Sequence, residues 1–120
     1  WFDCSCCPTN LCRFLPSVPG YIYARQQNNI YINLFVASTT KIDLSAKTSV
    51  ELSQQTNYPW DGNMKITINP SNKSKFAVYI RIPSWVRNQP VPGNLYSYIN
   101  PATETVVVRV KLKNHSSAID

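Results

Sequence analysis

The sequence predicts a mainly β protein, an antiparallel β-sandwich of the jelly-roll kind preceded by one short helix. Three observations carry that expectation. Beyond Gly20 apolar residues recur at every second position in several short segments, the period of a half-buried strand. Turn-forming residues separate those segments at frequent intervals. Before Gly20 the period is helical instead, and all four cysteines fall within the first twelve residues. With 120 residues the chain is long enough for one ordinary domain with its own core.

The segment from Cys7 to Leu15 reads as the helix. Pro8 suits its first position, where a missing N–H costs nothing, and Leu11, Phe14 and Leu15 share one face. Pro16 and then Pro19-Gly20 end it within about two turns. Tyr21 to Ala24 and Ile30 to Ala37 read as strands joined around Gln26 to Asn29. In the second, Ile30, Ile32, Leu34 and Val36 point one way and Tyr31, Asn33 and Phe35 the other. Lys41 to Leu44 and Thr48 to Leu52 form a hairpin across Ser45-Ala46-Lys47, and Tyr58-Pro59-Trp60-Asp61-Gly62 is a turn holding two large aromatics.

Met64 to Asn69 and Phe76 to Pro83 alternate again, with Ile66, Ile68, Phe76, Val78, Ile80 and Ile82 inward. Pro70 to Ser74 connects them as a loop. Asn88 to Asn94, with two prolines and a glycine, is irregular. Thr105 to Lys113 is the last strand, with Val106, Val108, Val110 and Leu112 inward and Arg109, Lys111 and Lys113 outward.

Composition narrows the function. Charged residues are only 15% of the chain, which excludes a coiled coil or a charged disordered tail. No stretch approaches the roughly 20 apolar residues of a membrane-spanning helix. The net charge of +6 invites a nucleic-acid reading, but the twelve cationic residues are scattered singly apart from short strand-face series. With no basic run and no glycine-framed aromatic strand, they read as solvated faces, and no nucleic-acid partner is expected. The one methionine is Met64, and Trp1 follows no leader pattern, so the opening reads as a processed end or a cut inside a longer protein.

The cysteines carry the most distinctive signal. Cys4, Cys6, Cys7 and Cys12 would close only tiny disulfide loops, and adjacent cysteines bridge each other badly. The cluster therefore points to metal ligation, thiol chemistry or buried structural thiols, and leaves the compartment open. Cys-x-Cys-Cys ahead of a helix places thiols where the helix dipole favours an anion, and zinc takes such soft ligands at about 2.3 Å. Four such close cysteines cannot readily surround one ion, so two neighbours with ligands from elsewhere is the natural arrangement.

Other candidates are weaker. His115 stands alone near the C-terminus and reads as a tail residue. Asp3, Asp43, Glu51, Asp61, Glu104 and Asp120 show no paired spacing on one face, so the sequence lends no support to a two-carboxylate hydrolase site within this chain. Trp60 and Trp85 could stack on sugar rings, although such residues more often fill a core or a seam between domains. With three separated glycines there is no phosphate-cradling loop.

Trp1-Phe2-Asp3-Cys4-Ser5-Cys6-Cys7-Pro8-Thr9-Asn10-Leu11-Cys12-Arg13 and Pro19-Gly20-Tyr21-Ile22-Tyr23 resemble the cysteine motif of glycoside hydrolase family 127, and of the similar family 146. Ile30-Tyr31-Ile32-Asn33-Leu34-Phe35, Tyr58-Pro59-Trp60-Asp61-Gly62 and Arg81-Ile82-Pro83-Ser84-Trp85 resemble later motifs of the family, so the likeness runs to about residue 90. The family's later glycine-tyrosine and arginine-tryptophan strands have no counterpart in this sequence.

The resemblance implies a zinc-dependent, retaining β-L-arabinofuranosidase in which an (α/α)6 barrel is followed by β-sandwich domains. Residues 1–20 would be the remnant of the last barrel helix and 21–120 the adjoining sandwich, incomplete at its end. Cys6 would be the nucleophile, and Cys6 and Cys7 zinc ligands. The remaining zinc ligands, the acid/base glutamate and the sugar-binding histidines would lie upstream. On that reading the parent enzyme acts on L-arabinose-containing glycans, and the isolated chain is inactive and need hold no zinc. Its barrel-facing surface around Leu11, Phe14, Leu15 and Tyr21 would be exposed, and so covered by self-association or disordered. Two alternatives stand beside it: a stand-alone carbohydrate-binding sandwich and a purely structural one.

Overall fold

The computed structural model describes residues 6–103, 105–112 and 115–119. These divide between two compact units, residues 1–81 and 82–120.

The first unit opens with α1 (Cys6–Phe14), one residue earlier than its sequence pattern indicates, followed by a single 3₁₀ turn at Leu15–Ser17. No residue of α1 is buried. Pro19-Gly20 does not end helical structure as expected. Pro19 instead begins a second short helix, α2 (Pro19–Ile22), because proline at a first helical position loses no hydrogen bond. The first strand consequently starts at Tyr23 rather than Tyr21. The carbonyl of Ile22 accepts from the backbone N–H of Asn33 at 2.9 Å, which ties α2 to the sheet, and the Ile22 side chain is buried.

Two three-stranded sheets follow. One has the order β1 (Tyr23–Gln26), β2 (Asn29–Ile32), β6 (Ala77–Ile80); the other runs β3 (Ser38–Ser45), β4 (Thr48–Thr56), β5 (Met64–Pro70). Their inner faces share one core in which Ile30 of the first sheet meets Leu44, Val50 and Leu52 of the second, with Tyr23, Ile42, Phe76 and Val78 packed at its margin. This is the predicted sandwich, with α1 ahead of it. Each fully buried side chain stabilises it by about 1.5–3 kcal/mol.

Register explains which residues face inward. Leu52 pairs with Thr40 and Ile68, and Gln54 with Ser38 and Ile66, so β4 lays Val50, Leu52 and Gln54 along the core. The hairpin read at Ser45 to Lys47 is present, with Ser45 paired to Thr48, and both arms are longer than the sequence pattern indicates.

Three strand expectations change. The strand expected from Ile30 to Ala37 ends at Ile32, and Val36 is exposed although its alternation with Ile32 continues. The chain there leaves one sheet and enters the other at Ser38, so alternation persists where strand pairing does not. Ile68 and Ile80, expected inward, are partly exposed because β5 and β6 are edge strands. Most consequentially, β6 runs parallel to β2, with Asn29 opposite Ala77 and Ile32 opposite Ile80, whereas the other strand pairs are antiparallel.

The second unit holds a 3₁₀ turn at Ser84–Arg87, an irregular stretch and a β7 (Val108–Leu112) and β8 (His115–Ile119) hairpin. The last predicted strand is thus shorter than Thr105 to Lys113, and Lys113 lies outside the described residues. Val106, Val108 and Val110, expected inward, are exposed. Asn88, in the left-handed region at φ 60°, ends the 3₁₀ turn. Its side-chain amide donates to the carbonyl of Ala102 at 3.0 Å and accepts from the Ala102 N–H at 2.7 Å. That two-bond neck closes the loop between residues 88 and 102, from which Leu95, Tyr96, Tyr98 and Ile99 protrude.

Candidate functional site

Cys6 and Cys7 occupy the first turn of α1, and both are exposed. The carbonyl of Cys6 accepts from the Thr9 hydroxyl at 3.1 Å, a local bond that firms this turn. The two Sγ atoms stand 3.8 Å apart. Two thiolates bound to one tetrahedral zinc at about 2.3 Å each would be separated by about 3.8 Å, so this pair has the spacing of two zinc ligands. Cys12 is exposed further along the same helix, and Cys4 lies outside the described residues. Among the described residues no three His, Cys, Asp or Glu side chains gather in a way that could hold a metal ion.

The other candidates are dispersed. Asp61 accepts from both the backbone N–H and the side-chain amide of Asn63, each at 2.8 Å, and so shapes the turn after β4. Asp43 and Glu51 lie at β3–β4 register positions on the outer face of their sheet. Asp3, Glu104 and Asp120 lie outside the described residues, and His115 enters only as backbone at the start of β8. Trp60 is 86% exposed and Trp85 is also exposed, so of the two structural places expected for them, a core or a seam between domains, neither fills the core.

Two arrangements had no announcement in the residue-by-residue reading. Gln54 is buried, and its Nε2 donates to the Tyr23 hydroxyl at 2.9 Å and the Leu34 carbonyl at 3.2 Å, linking the sheets. The Tyr23 hydroxyl also pairs with the Ser38 hydroxyl at 2.9 Å. Secondly, Tyr31 and Tyr79 stack with centroids 4.9 Å apart and rings within 11° of parallel. Their matching contexts, Ile30-Tyr31-Ile32 and Val78-Tyr79-Ile80, were a readable signal, but only the parallel register places them side by side.

Comparison with known proteins agrees with this architecture. The family model for the β-L-arabinofuranosidase GH127 middle domain matches residues 29–117. The match extends beyond residue 90, where the motif likeness ends, and begins after α1. A non-reducing end β-L-arabinofuranosidase of Bifidobacterium longum subsp. longum is 33% identical over 92 residues, covering 72% of this chain and 13% of the relative. The crystal structure of a GH127 β-L-arabinofuranosidase from Geobacillus stearothermophilus superposes with a TM-score of 0.65 at 39% identity, over 71% of this chain and 13% of that one. A structure described as a glycoside hydrolase gives 0.62 at 35% identity, over 79% and 17%. The chain thus spans about an eighth of the curated relative it matches.

Proposed function

Since the chain belongs to glycoside hydrolase family 127, we propose that it carries the thiol edge of a zinc-dependent, retaining glycoside hydrolase acting on β-L-arabinofuranosides. The observation that carries this reading is the pair of exposed thiols on the first turn of α1 at the spacing of two zinc ligands. Two relatives described as β-L-arabinofuranosidases supply the substrate class.

In this reading Cys6 and Cys7 hold the metal and Cys6 is also the nucleophile. Bound zinc supplies the Lewis acidity that keeps a coordinated thiol ionised. The Cys6 Sγ attacks the anomeric carbon, so a C–S bond forms as the glycosidic C–O bond breaks. The departing oxygen takes a proton from a carboxylic acid belonging to the remainder of the enzyme. Water then attacks the same carbon, giving its proton to the carboxylate left by the first step, the C–S bond breaks, and the thiolate returns with its electron pair. Two inversions leave the configuration retained.

Residues 1–20 close the (α/α)6 barrel in this scheme, and the sandwich from residue 21 braces it. Leu11, Phe14, Leu15 and Tyr21, each more than half exposed, form the surface that the barrel covers. In the isolated chain a second copy covers it.

The test is made in the complete enzyme. Cys6→Ser is expected to lower kcat on an aryl β-L-arabinofuranoside by about 10³-fold or more. Cys7→Ser should lower the bound zinc measured by mass spectrometry of metals. A slow substrate should leave a sugar adduct on the peptide containing Cys6. An unchanged rate in Cys6→Ser overturns the assignment, and turnover by the 120-residue chain alone overturns its inactivity.

A further inference from the structure

The sandwich has two outward faces of different chemistry. Register puts Lys41, Glu51 and Asn69 in one row on the outer face of the β3-β4-β5 sheet, with Thr39, Ser53 and Thr67 in the next. Charges and small hydroxyls of this kind make an ordinary solvated face. On the other sheet, the positions opposite the core are Ala24 and Gln26 of β1, Asn29 and Tyr31 of β2, and Ala77 and Tyr79 of β6. None of these six carries a formal charge, and the exposed Arg81, whose N–H donates to the Ile32 carbonyl, is the one charged residue that continues β6 beyond Tyr79.

This second face is shaped around the tyrosine pair. One face of the Tyr31 ring lies against Tyr79, and the strand on its other side places Ala24 directly opposite it, a residue with nothing beyond a methyl group. On that side the register sets no second large side chain directly opposite Tyr31. Tyr79 stands on an edge strand and is 51% exposed, so among the described residues its second ring face has no neighbouring strand. The Tyr31 hydroxyl donates to Gln26 Oε1 at 3.3 Å, which orients the Gln26 amide with its N–H donors still available. Asn29 pairs with Gln26 across the hairpin and adds a second amide.

We infer that the outer face of the β1-β2-β6 sheet is a glycan-binding surface. There the Tyr31–Tyr79 pair stacks on a neutral sugar ring over Ala24, and the Gln26 and Asn29 amides bond its hydroxyls. An uncharged, aromatic and amide-lined face complements an uncharged ligand with C–H faces and hydroxyl edges. It does not complement a greasy helix. This surface is separate from the thiol pair on α1. The choice of an arabinose-containing glycan rests on the function proposed above, whereas the geometry of the surface does not.

The experiment is a titration of the ¹⁵N-labelled 120-residue chain with oligosaccharides from arabinan and, in parallel, from xylan, read by amide chemical shifts. Arabino-oligosaccharides are expected to move the amides of Ala24, Gln26, Tyr31 and Tyr79. Tyr79→Ala should weaken binding about tenfold, the loss of one stacking partner. Ala24→Leu should weaken it similarly by setting a large side chain opposite Tyr31, with far-ultraviolet circular dichroism unchanged. Tyr31→Phe should keep most of it.

Binding of the xylan product alone, with the same Tyr79 dependence, supports the surface while counting against the arabinoside reading. Arabinoside hydrolysis by the complete enzyme, with no sugar moving these amides, overturns the surface and leaves that reading intact. Shifts centred on Trp60 that survive Tyr79→Ala also overturn it. So does concentration-dependent self-association that Tyr79→Ala abolishes without any response to sugar.

Discussion

At the scale of single residues, burial separates side chains that the sequence treats alike. Leu52 and Trp60 are both large and apolar, yet Leu52 is fully buried and Trp60 is 86% exposed. Leu52→Ala is therefore expected to cost about 2–5 kcal/mol in urea unfolding, through lost transfer energy and the cavity left behind. Trp60→Ala should stay within about 0.5 kcal/mol. A large loss on Trp60→Ala would mean that this turn packs against something the sandwich does not supply. Gln54 is the opposite case, a polar residue among apolar ones. Two donated bonds satisfy its Nε2, while its buried Oε1 has no partner among the described residues. Such a group usually finds one protein or water donor.

At the scale of elements, the Asn88 neck is the clearest local device. Glycine keeps the left-handed backbone that Asn88 adopts but removes both bonds to Ala102. Asn88→Gly is thus expected to raise the rate of chymotrypsin cleavage at Tyr96 or Tyr98 severalfold, with little change in the global unfolding midpoint. Equal cleavage rates would show that the neck does not hold the loop.

Elements also show where sequence reading succeeded. Ile30 and Ile32 were legible as sharing one strand face because period-two alternation survives wherever a strand has one dry face, whereas Val50 and Leu52 were legible only as part of a hairpin arm. Val36 was misread because alternation outlasts pairing at a crossover between sheets. The exposed valines of β7 were misread because periodicity gives a strand two faces without saying what covers either. The stacked tyrosines depend on a register between strands distant in sequence, which no local pattern encodes. The thiol pair, by contrast, was legible as a candidate because its geometry is set within one helical turn.

At the scale of the whole chain, apolar exposure governs behaviour in solution. Leu11, Phe14, Leu15 and Tyr21 project from the helical segment, and no residue of α1 is buried. Sedimentation velocity on the 120-residue chain should show association that grows with concentration. Phe14→Glu with Leu15→Glu should return it towards monomer, whereas Tyr79→Ala should not. A strictly monomeric wild-type chain would remove this surface as a contact. No described helix is long and apolar enough to cross a membrane, so a bilayer-spanning helix is not what these residues build.

The parallel pairing of β2 with β6 also dictates an order of events in time. The β3-β4-β5 meander joins near neighbours and closes only short loops, so it can assemble early. Ala77 must find Asn29 across that entire meander, at a larger loop-closure cost. Strand β6 is therefore expected to dock late, with Tyr79 arriving in it and the ring stack forming among the last contacts. Native-state hydrogen exchange should show the β6 amides opening before those of β3 to β5.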